Sequence, residues 1–191
     1  MNTNINNSIR SRRSIYPKQM SGQSIPIQIL ENALEAANWA PTHKKTQPWR
    51  FMVYSGEAKN KLIAFWERMT LENTLEKGET WDEIKASRFR LYEEKNSHII
   101  ALACEYSGQV PAIEETLACG AAIQNFWLSL SEAGYGGYWS TGNGTFSFAN
   151  KQFHQLKENQ ELVGYFLCGV PEGTLPLSAR KPIEDLSFWF D

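Results

Sequence analysis

The sequence predicts an α+β fold, built as one domain over residues 1–191. Three observations lead there. Helical and strand patterns are mixed, without the regular strand–helix alternation of a doubly wound sheet. The apolar run Leu162 to Val170 ends at Pro171 and reads as a buried strand. The segment Glu114 to Ala133 is apolar on more than one helical face, as in a helix buried on several sides.

The elements follow in order. A short helical stretch precedes Arg12. The first longer helix spans Pro26 to Trp39: proline suits the first helical position, where its missing N–H is not needed. Leu30, Ala33, Leu34 and Ala37 recur at helical spacing and should face the core, and Pro41 ends the helix. A loop, Pro41 to Pro48, leads into a strand over Trp49 to Tyr54. From about Glu57 to Lys95 charged and aromatic residues are interleaved. Leu62, Trp66 and Met69 form one stripe, and Gly78 breaks the pattern. Two exposed helices, or a helical lid, are expected.

His98 to Cys104 is a compact apolar strand. Glu114 and Glu115 suit the first turn of the long helix, where carboxylates oppose the helix dipole. Gly134 to Gly137 is a turn, Tyr138 to Thr141 a strand, and Asn150 to Lys157 a short helix. The tail from Ala179 to Leu186 is extended and polar before an aromatic end.

Composition excludes several functions. Hydrophobic residues make up 42% and charged residues 21%, ordinary for a soluble domain. A net charge of −2 speaks against a dedicated nucleic-acid binder. Cys104, Cys119 and Cys168 form no CxxC or metal-ligand pair, as expected of reduced thiols. His43, His98 and His154 are too scattered for a zinc site, so no metal is expected. No apolar run reaches the roughly 18 residues of a membrane span, and the first residues lack the apolar core of a signal peptide. The expected location is the cytoplasm. Gly134 to Gly137 follows a helix rather than opening one, so it is no dinucleotide fingerprint. No G-x-S-x-G elbow is present.

Three segments carry candidate chemistry. Arg12-Arg13-Ser14 offers two guanidiniums and a hydroxyl, which suit a phosphate dianion; on the motif alone a solvated basic end is the simpler explanation. Trp39 to Lys44, closing in Gln47-Pro48-Trp49, is either a proline-pinned seat for a planar polar ligand or a rigid connection. Gly136 to Gly142 (GGYWSTG) allows close backbone approach to a ligand, or forms a turn with core aromatics.

Taken together and in this order, these segments resemble the nitroreductase family of FMN-dependent oxidoreductases. The resemblance covers nearly the whole chain. It rests on the early Arg-Arg-Ser, the helix ending in Ala40-Pro41, the Gln47-Pro48-Trp49-x-Phe51 entry into a strand, the Gly134-x-Gly-Gly turn and Gly169-Val170-Pro171. His43-Lys44 before Gln47-Pro48-Trp49 is similar to the compact single-domain NAD(P)H nitroreductase branch.

The resemblance implies a nitroreductase-like fold: a mostly antiparallel central sheet flanked by helices, in a homodimer with FMN at the interface. It places Arg12 and Ser14 on the FMN phosphate, with Arg180, and with it Lys181, completing that site. Arg13 falls near the ribityl chain or pyrimidine edge. Trp39 and His43 reach the flavin of the partner subunit. Trp139, Ser140 and Thr141 lie against the ring, and the amide of Thr141 or Gly142 donates to flavin N5. Close relatives often carry a basic residue at position 39 and Arg at position 140; Trp39 and Ser140 remove positive charge there.

The implied activity is hydride transfer from NADH or NADPH, through flavin N5, to nitroaromatic, quinone or activated-alkene acceptors in a ping-pong cycle. Because the flavin carries the chemistry, no catalytic side chain is required. The alternatives are the same fold with iodotyrosine dehalogenase or flavin-fragmenting chemistry, and a non-catalytic flavin carrier or redox-sensing partner subunit.

Overall fold

The computed structural model describes residues 5–175 and 177–190. Its helices are α1 (Ile5–Ser11), α2 (Ile27–Asn38), α3 (Gly56–Glu76), α4 (Glu83–Lys95), α5 (Ala112–Glu132) and α6 (Phe148–Phe153). Its strands are β1 (Trp49–Ser55), β2 (His98–Glu105), β3 (Gly136–Ser140) and β4 (Gln160–Gly169). The strands form one sheet in the order β1-β2-β4-β3, with every neighbouring pair antiparallel. The expected α+β class with an antiparallel sheet is what forms.

β2 organises the sheet. Its residues alternate between two apolar faces, as the pleat requires. Ile100, Leu102 and Cys104 pack under α2 and α5 with Leu30, Ala33, Ala37, Cys119, Ala122 and Phe126. Ile99 and Ala101 point the other way, onto Leu62, Ile63 and Trp66 of α3 and Phe89 of α4. The result is a helix–sheet–helix sandwich.

The second helical layer corrects the expectation of exposed helices or a lid over Glu57–Lys95. Trp66 is fully buried and Phe89 nearly so. The charged composition hid this, because one of the charges is itself inside. Lys59 is buried and its Nζ donates to the carbonyls of Glu93 and Asn96, each at 2.7 Å. An ammonium placed there satisfies carbonyls left over at the end of α4 and opposes the negative end of its dipole. Asp82 caps the other end, accepting from the Lys85 amide at 2.9 Å.

Three boundaries differ from expectation. Pro26 precedes α2 as its cap instead of occupying the first turn, and Pro111 does the same for α5. β3 ends at Ser140, leaving Thr141 outside the ladder. The helix expected from Asn150 to Lys157 starts and ends earlier, because Ser147 caps it by accepting from the Asn150 amide.

One irregularity shapes the region beside β3. Leu102 faces Gly164, yet Ala103 faces Leu162, so Val163 is an extra residue in β4. A bulge shifts the side-chain alternation by one. Leu162 therefore joins the core under α3 and α4, while Phe166 remains under α5.

The second core also holds His154, which is buried. Desolvation lowers its pKa to about 4 from 6.5. His98 is lowered too, by desolvation and then by the charge of Lys59. As pH falls, the unfolded chain takes these protons before the folded chain does. Stability present above the unfolded value is thus lost as pH drops toward the folded value. Between pH 7 and 4 the unfolding free energy should fall by about 3 kcal/mol from His154 alone. Denaturant titrations across this range should show that loss, and His154→Gln should flatten the slope to the residue left by His98.

Candidate functional site

The segment Arg12 to Ile15 leaves α1 and runs beside β3. Ser14 forms a parallel bridge with Gly137, and the Ile15 amide donates to the Gly137 carbonyl at 3.0 Å. Gly136 permits this approach: a Cβ there would stand 2.7 Å from Ile15 Cγ1. The glycine-rich turn thus admits the N-terminal segment of the chain itself. It brings Arg12-Arg13-Ser14 against the start of the strand that carries Trp139 and Ser140.

Arg12 lies over the indole of Trp127 on α5, with Cζ 4.0 Å from the ring centroid. Such a stack strips water from the guanidinium while the ring face keeps its charge tolerable. Its Nη1 is buried and has no hydrogen-bond partner among the described residues. Burial lowers the Arg12 pKa, and the charges of Arg180 and Arg13 lower it further. Three cations are thus gathered around a buried donor without an acceptor. Leaving a charged donor unsatisfied is costly, so this arrangement suits an anion that accepts from it. Nothing in the spacing of the sequence pointed to Trp127; its only signal was an aromatic on the over-apolar helix.

Arg13 turns elsewhere. Its Nη1 donates to the carbonyls of Arg10 and Arg12, at 2.6 and 2.9 Å. It borders a cavity of about 260 Å³ with Ser131, Tyr135, Gly136 and Pro171. Arg180 is exposed and donates to Ser178 Oγ and, at 2.8 Å, to the Ala179 carbonyl. Lys181 beside it is exposed.

Trp139 lies flat on β4, and the seat is Gly164: a Cβ there would stand 2.4 Å from the indole. Ser140 Oγ accepts from the Gly142 amide at 3.2 Å. Of the two amides singled out in the sequence, Gly142's is therefore engaged. Thr141 is exposed, and its amide has no acceptor among the described residues.

Trp39 and His43 sit at the far end of α2; Trp39 bonds within its own helix and His43 reaches α5. Trp39 is 79% exposed, and its Nε1 donates to Glu35 at 2.9 Å. His43 Nδ1 meets Glu114 Oε2 at 2.5 Å, beside an apolar cavity of about 390 Å³ formed with Pro41, Leu117, Ala118 and Ala121. The loop that aims His43 is strained: Lys44, Lys45 and Gln47 all have φ between 44° and 55°. Left-handed backbone at non-glycine residues costs about 1–2 kcal/mol each. Thr42 Oγ1, bonded to Thr46 Oγ1 and the Gln47 amide, holds the loop in that form.

Known proteins share this architecture. The Nitroreductase family profile matches residues 9–170. YdjA of Escherichia coli (strain K12), provisionally named an NAD(P)H nitroreductase, is 27% identical over 153 residues, covering 80% of this chain and 81% of its own. The crystal structure of a nitroreductase-like family protein from Bacillus cereus superposes with a TM-score of 0.83 at 27% identity, over 100% of this chain and 98% of that one. A nitroreductase-type protein of Desulfovibrio desulfuricans, solved in complex with FMN, superposes at 0.77 with 18% identity, over 100% and 99% of the two chains. Since the profile spans both helical layers, the whole sheet and the Arg12 segment, this chain belongs to the nitroreductase family.

Proposed function

We propose that the protein is an FMN-dependent oxidoreductase. It takes reducing equivalents from NADH or NADPH and passes them to small flat acceptors such as nitroaromatics, quinones or activated alkenes. The observation that carries this reading is the buried, unpartnered Nη1 of Arg12, with Arg180 and Arg13 close by. A phosphate monoester would satisfy that donor and relieve the mutual repulsion of the three guanidiniums.

The residues divide the work. Arg12, with Ser14 and Arg180, binds the phosphate, and Trp127 keeps water from the guanidinium. Arg13 has its Nη1 committed to backbone carbonyls, so it contributes positive charge to the reducible end of the cofactor more than that donor. Trp139 to Gly142 line the ring, with the free amide of Thr141 as the donor to its edge. Bound FMN supplies the two-electron chemistry between nicotinamide and acceptor. No side chain has to form a covalent bond, consistent with a site that contains no nucleophile–base pair.

A homodimer completes the reading. The long helix leaves Ile113 and Leu117 more than 60% exposed, and Trp39 after α2 is exposed as well. The tail carries Phe188, Trp189 and Phe190, each over 80% exposed. Apolar surface on this scale favours association with a second copy, which would bring Trp39 and His43 toward the partner's cofactor.

Purified protein should be yellow, and anaerobic NADH or NADPH should bleach it; an acceptor should restore the colour. Protein that stays colourless in excess FMN defeats the assignment. A yellow protein that neither nicotinamide bleaches would be a carrier. Arg12→Ala should weaken FMN binding by at least about tenfold, the loss of one charge-assisted contact, read by fluorescence titration. Unchanged affinity would remove Arg12 from the phosphate site. Light scattering should give twice the 21.8 kDa of one chain. Deleting residues 187–191 should move the population toward monomer.

A further inference from the structure

A buried hydrogen-bond chain crosses the second core and ends on the turn that follows β3. Asn150 is fully buried, and its Nδ2 donates to the carbonyls of Asn143 at 3.0 Å and Gly144 at 2.8 Å. Its Oδ1 accepts from the Tyr165 hydroxyl at 2.6 Å. The Tyr165 oxygen contacts His154 Nε2 at 2.7 Å, and His154 Nδ1 contacts the Tyr54 hydroxyl at 2.6 Å.

The direction of every bond follows. Tyr165 spends its one hydrogen on Asn150, so it must accept from Nε2–H of His154. Nδ1 then has only a lone pair and accepts from Tyr54. The chain runs one way, from β1 through α6 and β4 to the turn. It does not relay protons to the turn, because the carboxamide N–H groups of Asn150 are not acidic and the chain ends on backbone carbonyls. What it can transmit is orientation, since a fully satisfied buried network admits one arrangement.

The turn needs such a hold. Asn143 and Gly144 both have positive φ, 55° and 64°. The Gly142 carbonyl is fixed separately, by the amide and hydroxyl of the buried Thr145, at 3.2 and 2.6 Å. The inner side of the turn is thus entirely engaged, while Thr141 and Gly142 face outward.

We propose that Asn150, Tyr165 and His154 are positioning residues of the reaction, holding the free Thr141 amide in register with the flavin edge. This rests on the function proposed above. None of the three touches the cofactor; they act through the turn.

The test uses Tyr165→Phe, which removes one hydroxyl, and Asn150→Ala, with Ile63→Val as a packing control in the same core. In the protein without FMN, amide hydrogen exchange over residues 141–147 should rise about tenfold in Tyr165→Phe. In Ile63→Val it should follow the global change alone. With FMN bound, the visible circular dichroism should change and kcat fall at least about fivefold, while FMN affinity stays within about threefold. Exchange that is unchanged, or equally changed in Ile63→Val, overturns the proposal. So does a loosened turn with an unaltered visible spectrum on a protein that still binds FMN, which leaves the functional reading standing. Wild-type protein that binds no FMN overturns both.

Discussion

A strand buried on both faces must be covered on both faces, and β2 imposes that condition on the whole chain. Ile100 and Leu102 require one helical layer; Ile99 and Ala101 require another. The layers are not alike. α2 and α5 bring mostly aliphatic side chains and Phe126. α3 and α4 bring Trp66 and Phe89, and with them a set of polar groups that had to be satisfied inside: Lys59 on two carbonyls, His154 between two tyrosines, Asn150 against the turn. The first layer supplies apolar burial. The second combines burial with a hydrogen-bonded frame.

The candidate site lies along β3, where both layers have a hand. From the aliphatic side, α5 provides Trp127, whose ring desolvates Arg12. From the other side, α6 and β4 hold the turn beyond Ser140. Between them the N-terminal segment is drawn against Gly136 and Gly137. The cations and the exposed amide of Thr141 therefore belong to one strand and its margins. That suits a ligand with an anionic end and a flat, hydrogen-bonding end. Gly164, next to the bulge at Val163, is the seat of Trp139.

Clustered positive charge and exposed apolar surface meet on the tail of this chain. Among the described residues Arg12 Nη1 is buried without a partner, so on the proposed function anion binding should be coupled to stability. The aromatics of the tail are exposed, and Arg180 stands on the same tail segment as Phe188 and Trp189. On the proposed function, a second copy would cover the aromatics while Arg180 meets the anion.

By itself the sequence determined the sheet strands, the two longest aliphatic-layer helices and the class of the fold, because those rest on local periodicity and on breakers such as Pro41, Gly134 and Pro171. It also pointed to Arg12-Arg13-Ser14, though on the motif alone a solvated basic end is the simpler reading. Only tertiary structure shows that Arg12 lies on Trp127 with Arg180 near it, the arrangement from which the phosphate site is proposed. Periodicity could not reveal that α3 and α4 are a core layer, because a buried lysine capping a helix looks like any surface charge in a linear string. Nor could it reveal the Asn150–Tyr165–His154 chain, whose members lie on separate elements and meet only when β4 and α6 pack. Local pattern reports which face of an element is apolar. Which polar groups that face must satisfy, and what they then hold in place, depends on the neighbours the fold supplies.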